Sequence, residues 1–197
     1  MIGRYRALVA ADLGCQRAVV NLSRLLYRLG RAEEAFRASR EFLDRFPESQ
    51  KVRLNLAYLL QTQNRLQEAR QEIDTVLDHL RKDEFETDPR RIYALHLLGR
   101  NLLGQEKFQE GEQYLLQVVT LDPGFVEARL NLAELYSQTP ETYVQAVEQF
   151  ESVIELRPEF AMAHEKLGKT LLDLPRPEQA IRHLERAVQL DPERPEA

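Results

Sequence analysis

Two stretches near the end of the chain decide the fold: AVEQFESVIELRP at residues 146–158 and AIRHLERAVQLDP at residues 180–192. Each begins with a small residue, continues with apolar residues three and four positions apart, and ends with proline twelve residues after the first. The interval recurs in Ala35–Pro47, Ala69–Arg81 and Gly111–Pro123, with Arg81 in place of the proline. A period of about 34 residues indicates a repeat protein, whose units bury their apolar faces by stacking on one another.

Five units fit this period, and each is predicted to be a pair of helices. They are 16–49, 50–83, 92–125, 126–160 and 161–194. In each unit a leucine at place 7, a small residue at place 8 and an apolar residue at place 11 give one stripe on the first helix. A small residue at place 20 and apolar residues at places 24, 27 and 28 give the second. Proline at place 32 ends the second helix, and because no segment alternates with period two, the predicted fold class is all-α.

The residues outside the five units carry separate predictions. Residues 1–15 are predicted to be a partial repeat or an N-terminal capping helix, and residues 195–197 a tail. The insertion 84–91 is predicted to be a longer second helix plus a loop, or alternatively a bend in the array that presents Phe85 to a partner. No polar helix covers the last apolar face, which suggests a segment of a longer protein or a covering chain and leaves end-to-end self-association open.

The register resembles that of the tetratricopeptide repeat family. Small residues at places 8 and 20, apolar ones at 11, 24 and 28, and proline at 32 match that family over residues 16–194. Ser39 departs from the pattern at place 24, and the chain has no Trp, so place 4 is filled by Val19, Arg53, Leu95, Arg129 and His164. The resemblance implies a right-handed superhelical solenoid of antiparallel helix pairs that acts as a protein–protein interaction scaffold and organises a multiprotein assembly.

Charge is divided unevenly along the chain. Residues 1–83 hold 15 basic and 11 acidic residues, a balance of +4, whereas residues 84–197 hold 12 and 21, a balance of −9. The overall charge of −5 argues against nucleic acid as a partner. No apolar run reaches ~18 residues, so no membrane insertion is expected. The single Cys15 cannot form an internal disulfide, which fits a reducing compartment and makes the cytoplasm the default location.

In the family that the chain resembles, the concave groove is lined by the first helix of each unit. Arginine suits carboxylates because its planar guanidinium group can donate two parallel hydrogen bonds. Asn recurs at place 6, which resembles the asparagine ladder of peptide-binding members of the family. The predicted ligand is an extended or helical protein segment, such as an acidic or a C-terminal peptide; alternatively, the arginines are only a solvated surface. The predicted peptide-binding residues are Arg17, Asn21, Arg24, Arg28, Lys51, Asn55, Tyr58, Tyr93, His96, Arg100, Asn131 and Lys166.

No pattern of residues predicts chemistry. His164 and Glu165 begin like a zinc-protease helix, but Gly168 stands where the second histidine is required. The four histidines occupy unrelated register places, and the carboxylate clamp of chaperone-binding relatives is incomplete. We therefore expect no catalytic residue, no metal site and no cofactor. The alternative is that the repeats bind substrate for, or regulate, a larger enzyme such as a glycosyltransferase, as the resemblance allows.

Overall fold

The computed structural model describes Gly3, residues 15–81 and residues 86–192. Over these residues the chain forms ten α-helices, one short 3-10 turn at Pro140–Thr142 and no strand. The helices are α1 (Gln16–Arg28), α2 (Ala32–Arg45), α3 (Gln50–Thr62), α4 (Leu66–His79), α5 (Pro89–Gly104), α6 (Phe108–Leu121), α7 (Val126–Tyr136), α8 (Tyr143–Leu156), α9 (Ala161–Leu172) and α10 (Pro177–Leu190). The predicted fold class, an all-α solenoid of helix pairs, is confirmed.

The chain separates into two compact units, Met1–Lys107 and Phe108–Ala197. In the first unit α1 packs on α2 and α3 on α4, while α3 also contacts α1 and α5. Ala35 and Ala69, the small residues at place 20, are completely buried beside Phe36 and Leu56. Ser39 is buried too, and its hydroxyl donates to the Ala35 carbonyl at 3.1 Å, so a polar residue at place 24 is satisfied within its own helix.

The second unit repeats this packing with different side chains. Here α7 packs on α8 and α9 on α10, and α8 also contacts α9. Ala146 and Ala180, again at place 20, are completely buried. They share a core with Phe150, Leu167 and Leu171. The same register therefore places small residues where two helices meet in both units.

The second helices end at the same register place with or without proline. The helices α2, α6, α8 and α10 each stop two residues before a proline, and α4 stops two residues before Arg81. Leu80, the residue that follows α4, is buried, so the chain leaves this helix packed against the core although no proline follows. The longer second helix predicted from the insertion is wrong, since the added residues 89–91 instead begin α5, which Asp88 caps through the Arg90 amide.

Several predictions fall on residues that the structure does not describe. These are the partial repeat at 1–15 apart from Gly3 and Cys15, the presentation of Phe85, and the tail at 195–197. The division into five repeat units stays a prediction as well.

A hydrogen bond to a proline carbonyl recurs at the start of three predicted units. Arg53 Nε donates to the Pro47 carbonyl at 3.1 Å, Arg129 Nε to that of Pro123 at 2.8 Å, and His164 Nε2 lies 3.1 Å from that of Pro158. The three donors stand at place 4, which tryptophan occupies in the family pattern and other residues occupy in this chain. Each donor thus ties the first helix of its unit to the end of the preceding helix.

The residue at place 4 also reaches place 23 on the second helix of its own unit. Arg53 pairs with Glu72 at 2.6 Å, and Arg129 donates to Gln149 at 3.2 Å. In the last unit the Nδ1 atoms of His164 and His183 are 3.1 Å apart. The sequence analysis expected the histidines to occupy unrelated register places, and this is wrong for one pair. His164 stands at place 4 and His183 at place 23, the same two places that Arg53 and Glu72 or Arg129 and Gln149 occupy in the earlier units.

The histidine pair should make stability depend on pH. Burial of the ring lowers the pKa of His183 below its usual 6.5, and the electrostatic effects of His164 and Arg182 lower it further. The folded chain therefore favours the neutral ring. The unfolded chain then binds more protons in acid, and stability is lost as pH falls below about 6.5. We expect the midpoint of thermal unfolding to fall between about pH 7.5 and pH 5.5. The fall should be smaller in His183→Gln. Glutamine is a suitable replacement because Gln149 occupies the same register place in the preceding unit. An equal drop in His183→Gln and in the control His79→Gln, at an exposed site on α4, would contradict this.

Gly168 permits the close approach of α9 and α10. A Cβ at this position would stand 2.7 Å from Leu184 Cγ and 3.2 Å from the Ala180 carbonyl oxygen. The second contact is with backbone and cannot yield by a rotamer change. By contrast, a Cβ at Gly104 would meet only the flexible end of Leu66, at 3.2 Å.

We expect Gly168→Ala to lower the free energy of unfolding by roughly 1–3 kcal/mol through overpacking, in spite of the better helix propensity of alanine. Gly104→Ala is the matched control, because it also places alanine in a helix, and it should be close to neutral. Urea denaturation followed by circular dichroism measures both. Equal effects of the two substitutions would show that the close approach at Gly168 is not a constraint.

Candidate functional site

The first unit contains a groove of about 650 Å³ walled by α1, α3 and α5. On α1 the spacing of four and three residues puts Arg17, Asn21 and Arg24 on one helical face. Six of the twelve predicted peptide-binding residues line this groove: Arg17, Asn21, Arg24, Lys51, Asn55 and Tyr93. Its volume lies within the range of about 300–1,000 Å³ that is typical of ligand sites.

The groove also contains residues that the sequence analysis missed, namely Val20, Leu54, Pro89 and Arg90. Each wall carries the same pattern, in which a cation precedes an apolar or aromatic residue by three positions. The pairs are Arg17 with Val20, Lys51 with Leu54, and Arg90 with Tyr93. This spacing, read on each first helix, is the signal that would have found the apolar part of the groove.

A hydrogen-bonded chain fixes Arg24 to the neighbouring helix. Arg24 Nε donates to Asn55 Oδ1 at 2.7 Å, and Asn55 Nδ2 donates to Ser23 Oγ at 2.8 Å. The Ser23 hydroxyl in turn donates to the Val20 carbonyl at 3.0 Å. Asn55 is only 3% exposed, and its amide orients Arg24 and joins α3 to α1 through these two hydrogen bonds. Asn21, at the same register place, is exposed.

The cations of the groove differ in how they are compensated. Over residues 15–81 and 86–192, Arg17, Arg24 and Lys51 make no ion pair. Arg90, however, pairs with Asp88 at 2.7 Å, and its hydrogen bonds to that carboxyl group lower the pKa of Asp88. The groove therefore keeps three uncompensated positive charges.

Several arginines elsewhere in the first unit are paired with acids. The surface formed by α2 and α4 carries four ion pairs between 2.6 and 2.8 Å, which are Arg40–Glu68, Arg65–Glu33, Arg65–Glu68 and Arg70–Asp74. A further pair, Arg31–Glu34, lies at the start of α2. The groove thus differs from the surface of α2 and α4, where ion pairs hold several of the arginines.

The other predicted site residues lie outside the groove lining. His96 is 3% exposed and belongs to the buried side of α5. Arg100 lies over the Tyr58 ring at 5.7 Å, and Arg28 is exposed at the end of α1. Asn131 and Lys166 belong to the second compact unit, where Lys166 pairs with Glu134 at 2.9 Å.

Neither a metal centre nor a spanning helix is found in the part of the chain that the structure describes. No group of three or more His, Cys, Asp or Glu side chains there could hold a metal ion. None of the described helices has the length and apolar character needed to cross a membrane.

Tetratricopeptide repeat models match residues 26–86, 96–141 and 143–195. The chain belongs to the tetratricopeptide repeat family. None of the curated proteins matches the sequence significantly. Tetratricopeptide proteins are typically repeat scaffolds for protein interaction, as the predicted register implied.

Solved structures share the fold at low sequence identity. BtubC from P. vanneervenii matches with a TM-score of 0.80 and 16% identity, over 96% of this chain and 86% of its own. TTC0263 from Thermus thermophilus, a thermophilic tetratricopeptide protein, matches with 0.71 and 15%, over 91% and 93%. YrrB, described as a tetratricopeptide protein with an unusual peptide-binding site, matches with 0.59 and 18%, over 96% and 93%.

The position of Asn55 predicts a difference between the two groove asparagines. Asn55→Ala removes two buried hydrogen bonds, one accepted from Arg24 and one donated to Ser23. We therefore expect the free energy of unfolding to fall by about 1–3 kcal/mol. Asn21→Ala, at the exposed asparagine of the same register place, should stay within about 0.5 kcal/mol of wild type. Denaturant titration of both variants measures this. A similar loss in both would mean that the hydrogen-bonded chain contributes little.

Proposed function

We propose that this protein is a non-catalytic interaction scaffold that binds a segment of a partner protein in the groove of α1, α3 and α5 and thereby helps to organise a multiprotein assembly. The observation that supports this most directly is the groove itself, where six side chains from three helices meet around an apolar floor. Arg24 is already held in place there by Asn55, so little side-chain freedom is lost when a ligand binds.

A protein segment suits this groove better than a small metabolite. Three successive first helices, each about 8–10 Å from the next, give a lining long enough for several residues of an extended chain. Exposed Asn21 offers both a donor and an acceptor to a peptide backbone. Tyr93 adds contact area at small entropic cost. YrrB, which shares the fold, is described as having a peptide-binding site.

The experiment uses a steric block that leaves every charge of the groove in place. Random peptides displayed on phage are selected on the wild-type chain and then tested against Asn21→Trp, whose indole would fill the groove. The control is Gln67→Trp, at an exposed site on α4. We expect the selected peptides to lose about tenfold or more in affinity for Asn21→Trp and to bind Gln67→Trp like wild type.

Two results would contradict the proposal. Either no peptide is enriched on the wild-type chain, or the enriched peptides bind Asn21→Trp as well as wild type. Circular dichroism spectra of both variants establish that the tryptophan has not disturbed the helices.

A further inference from the structure

The uncompensated cations of the groove point to the chemistry of its ligand. We propose that the groove selects an internal acidic segment of a partner protein in which a bulky apolar side chain lies between carboxylate side chains. This inference rests on the proposed function, because it specifies the kind of segment that the groove would hold.

The first argument is the sign of the charge. None of the described residues that line the groove is acidic, whereas Arg17, Arg24, Lys51 and Arg90 all line it. Only Arg90 has its charge balanced, by Asp88. An anionic ligand would therefore meet three cations without displacing a carboxylate of the described chain, whereas a basic ligand would add like charges to a site that already holds them.

The second argument is that one of these cations is preorganised. The Nε of Arg24 is engaged by Asn55, and its Nη1 and Nη2 have no hydrogen-bond partner among the described residues. The guanidinium is thus oriented by a buried amide while its two terminal nitrogens remain for a ligand oxyanion. Charge-assisted hydrogen bonds of this kind are about twice as strong as neutral ones.

The third argument is the spacing of charge and apolar surface. Arg17 and Arg24 are seven residues apart on α1, which is about 10 Å along the helix. An extended peptide covers that distance in about three residues. Val20 lies between the two arginines on α1, and Leu54 of α3 lines the same groove; each is 5% exposed. A peptide with a carboxylate side chain near each arginine and an apolar side chain between the two carboxylates would match this arrangement.

The experiment measures fluorescence anisotropy with synthetic peptides of about ten residues, long enough to cover the spacing of Arg17 and Arg24 with residues to spare at both ends. The parent peptide has a phenylalanine flanked by glutamates and an amidated C-terminus. Further peptides replace glutamate by glutamine, glutamate by phosphoserine, or phenylalanine by alanine, and one keeps a free C-terminal carboxylate. The protein variants are Arg17→Gln with Lys51→Gln, and Arg37→Gln as a control at an exposed arginine of α2 that makes no ion pair within the described residues.

We expect the parent peptide to bind wild type about tenfold more tightly than the glutamine or alanine peptide. The double variant should lose that preference for glutamate, and Arg37→Gln should keep it. Raising the salt concentration should weaken binding of the parent peptide more than that of the glutamine peptide.

Other results would overturn the inference. Equal binding of the glutamate and glutamine peptides, with both blocked by Asn21→Trp, would refute acidic selection and leave the proposed function standing. Binding only with the free C-terminus would identify a terminal carboxylate, and binding only with phosphoserine a phosphorylated segment; each contradicts an internal carboxylate ligand. Binding of the parent peptide that survives the double variant or Asn21→Trp would place its site outside the groove.

Discussion

Close contact between the two helices of each pair is the constraint on which the remaining structure depends. The residue at place 20 sits where the second helix meets the first, and in Ala35, Ala69, Ala146 and Ala180 it is completely buried. A larger side chain there would force the helices apart, because protein interiors have little spare volume. At Gly168 the approach leaves no room even for a Cβ. With each pair packed this tightly, the first helices become regular walls on which exposed residues line up.

The groove combines this regular frame with one specific polar contact. Asn55 is buried between α1 and α3, and it binds Ser23 on one side and Arg24 on the other. Asn55 thus both joins two helices of the unit and orients a charge that lines the groove. Because of this coupling, a substitution of Asn55 would alter the contact between the helices and the orientation of Arg24 together, whereas a substitution of Arg17 would alter the charge alone.

The sequence predicted the helix pairs well because their apolar stripes and small residues follow directly from helical geometry. The same geometry placed Arg17, Asn21 and Arg24 on one face. It could not tell Asn21 from Asn55, since the burial of place 6 depends on which neighbouring helix covers it. Arg90 was missed because the insertion hid the first turn of α5. His164 and His183 were missed because no motif joins residues at places 4 and 23; only the packing of the first helix on the second brings them together.

The uneven compensation of charge in the first unit has a kinetic consequence. On α2 and α4 the acidic residues outnumber the arginines, and ion pairs hold Arg40 and Arg70, so no positive field extends from that surface. The open side of α1 and α3 sends out a positive field from Arg17, Arg24 and Lys51. Such a field guides oppositely charged molecules toward one face during diffusion and accelerates their capture, without slowing their release to the same degree. An oppositely charged partner would therefore be captured faster, without a matching change in the time for which it stays bound.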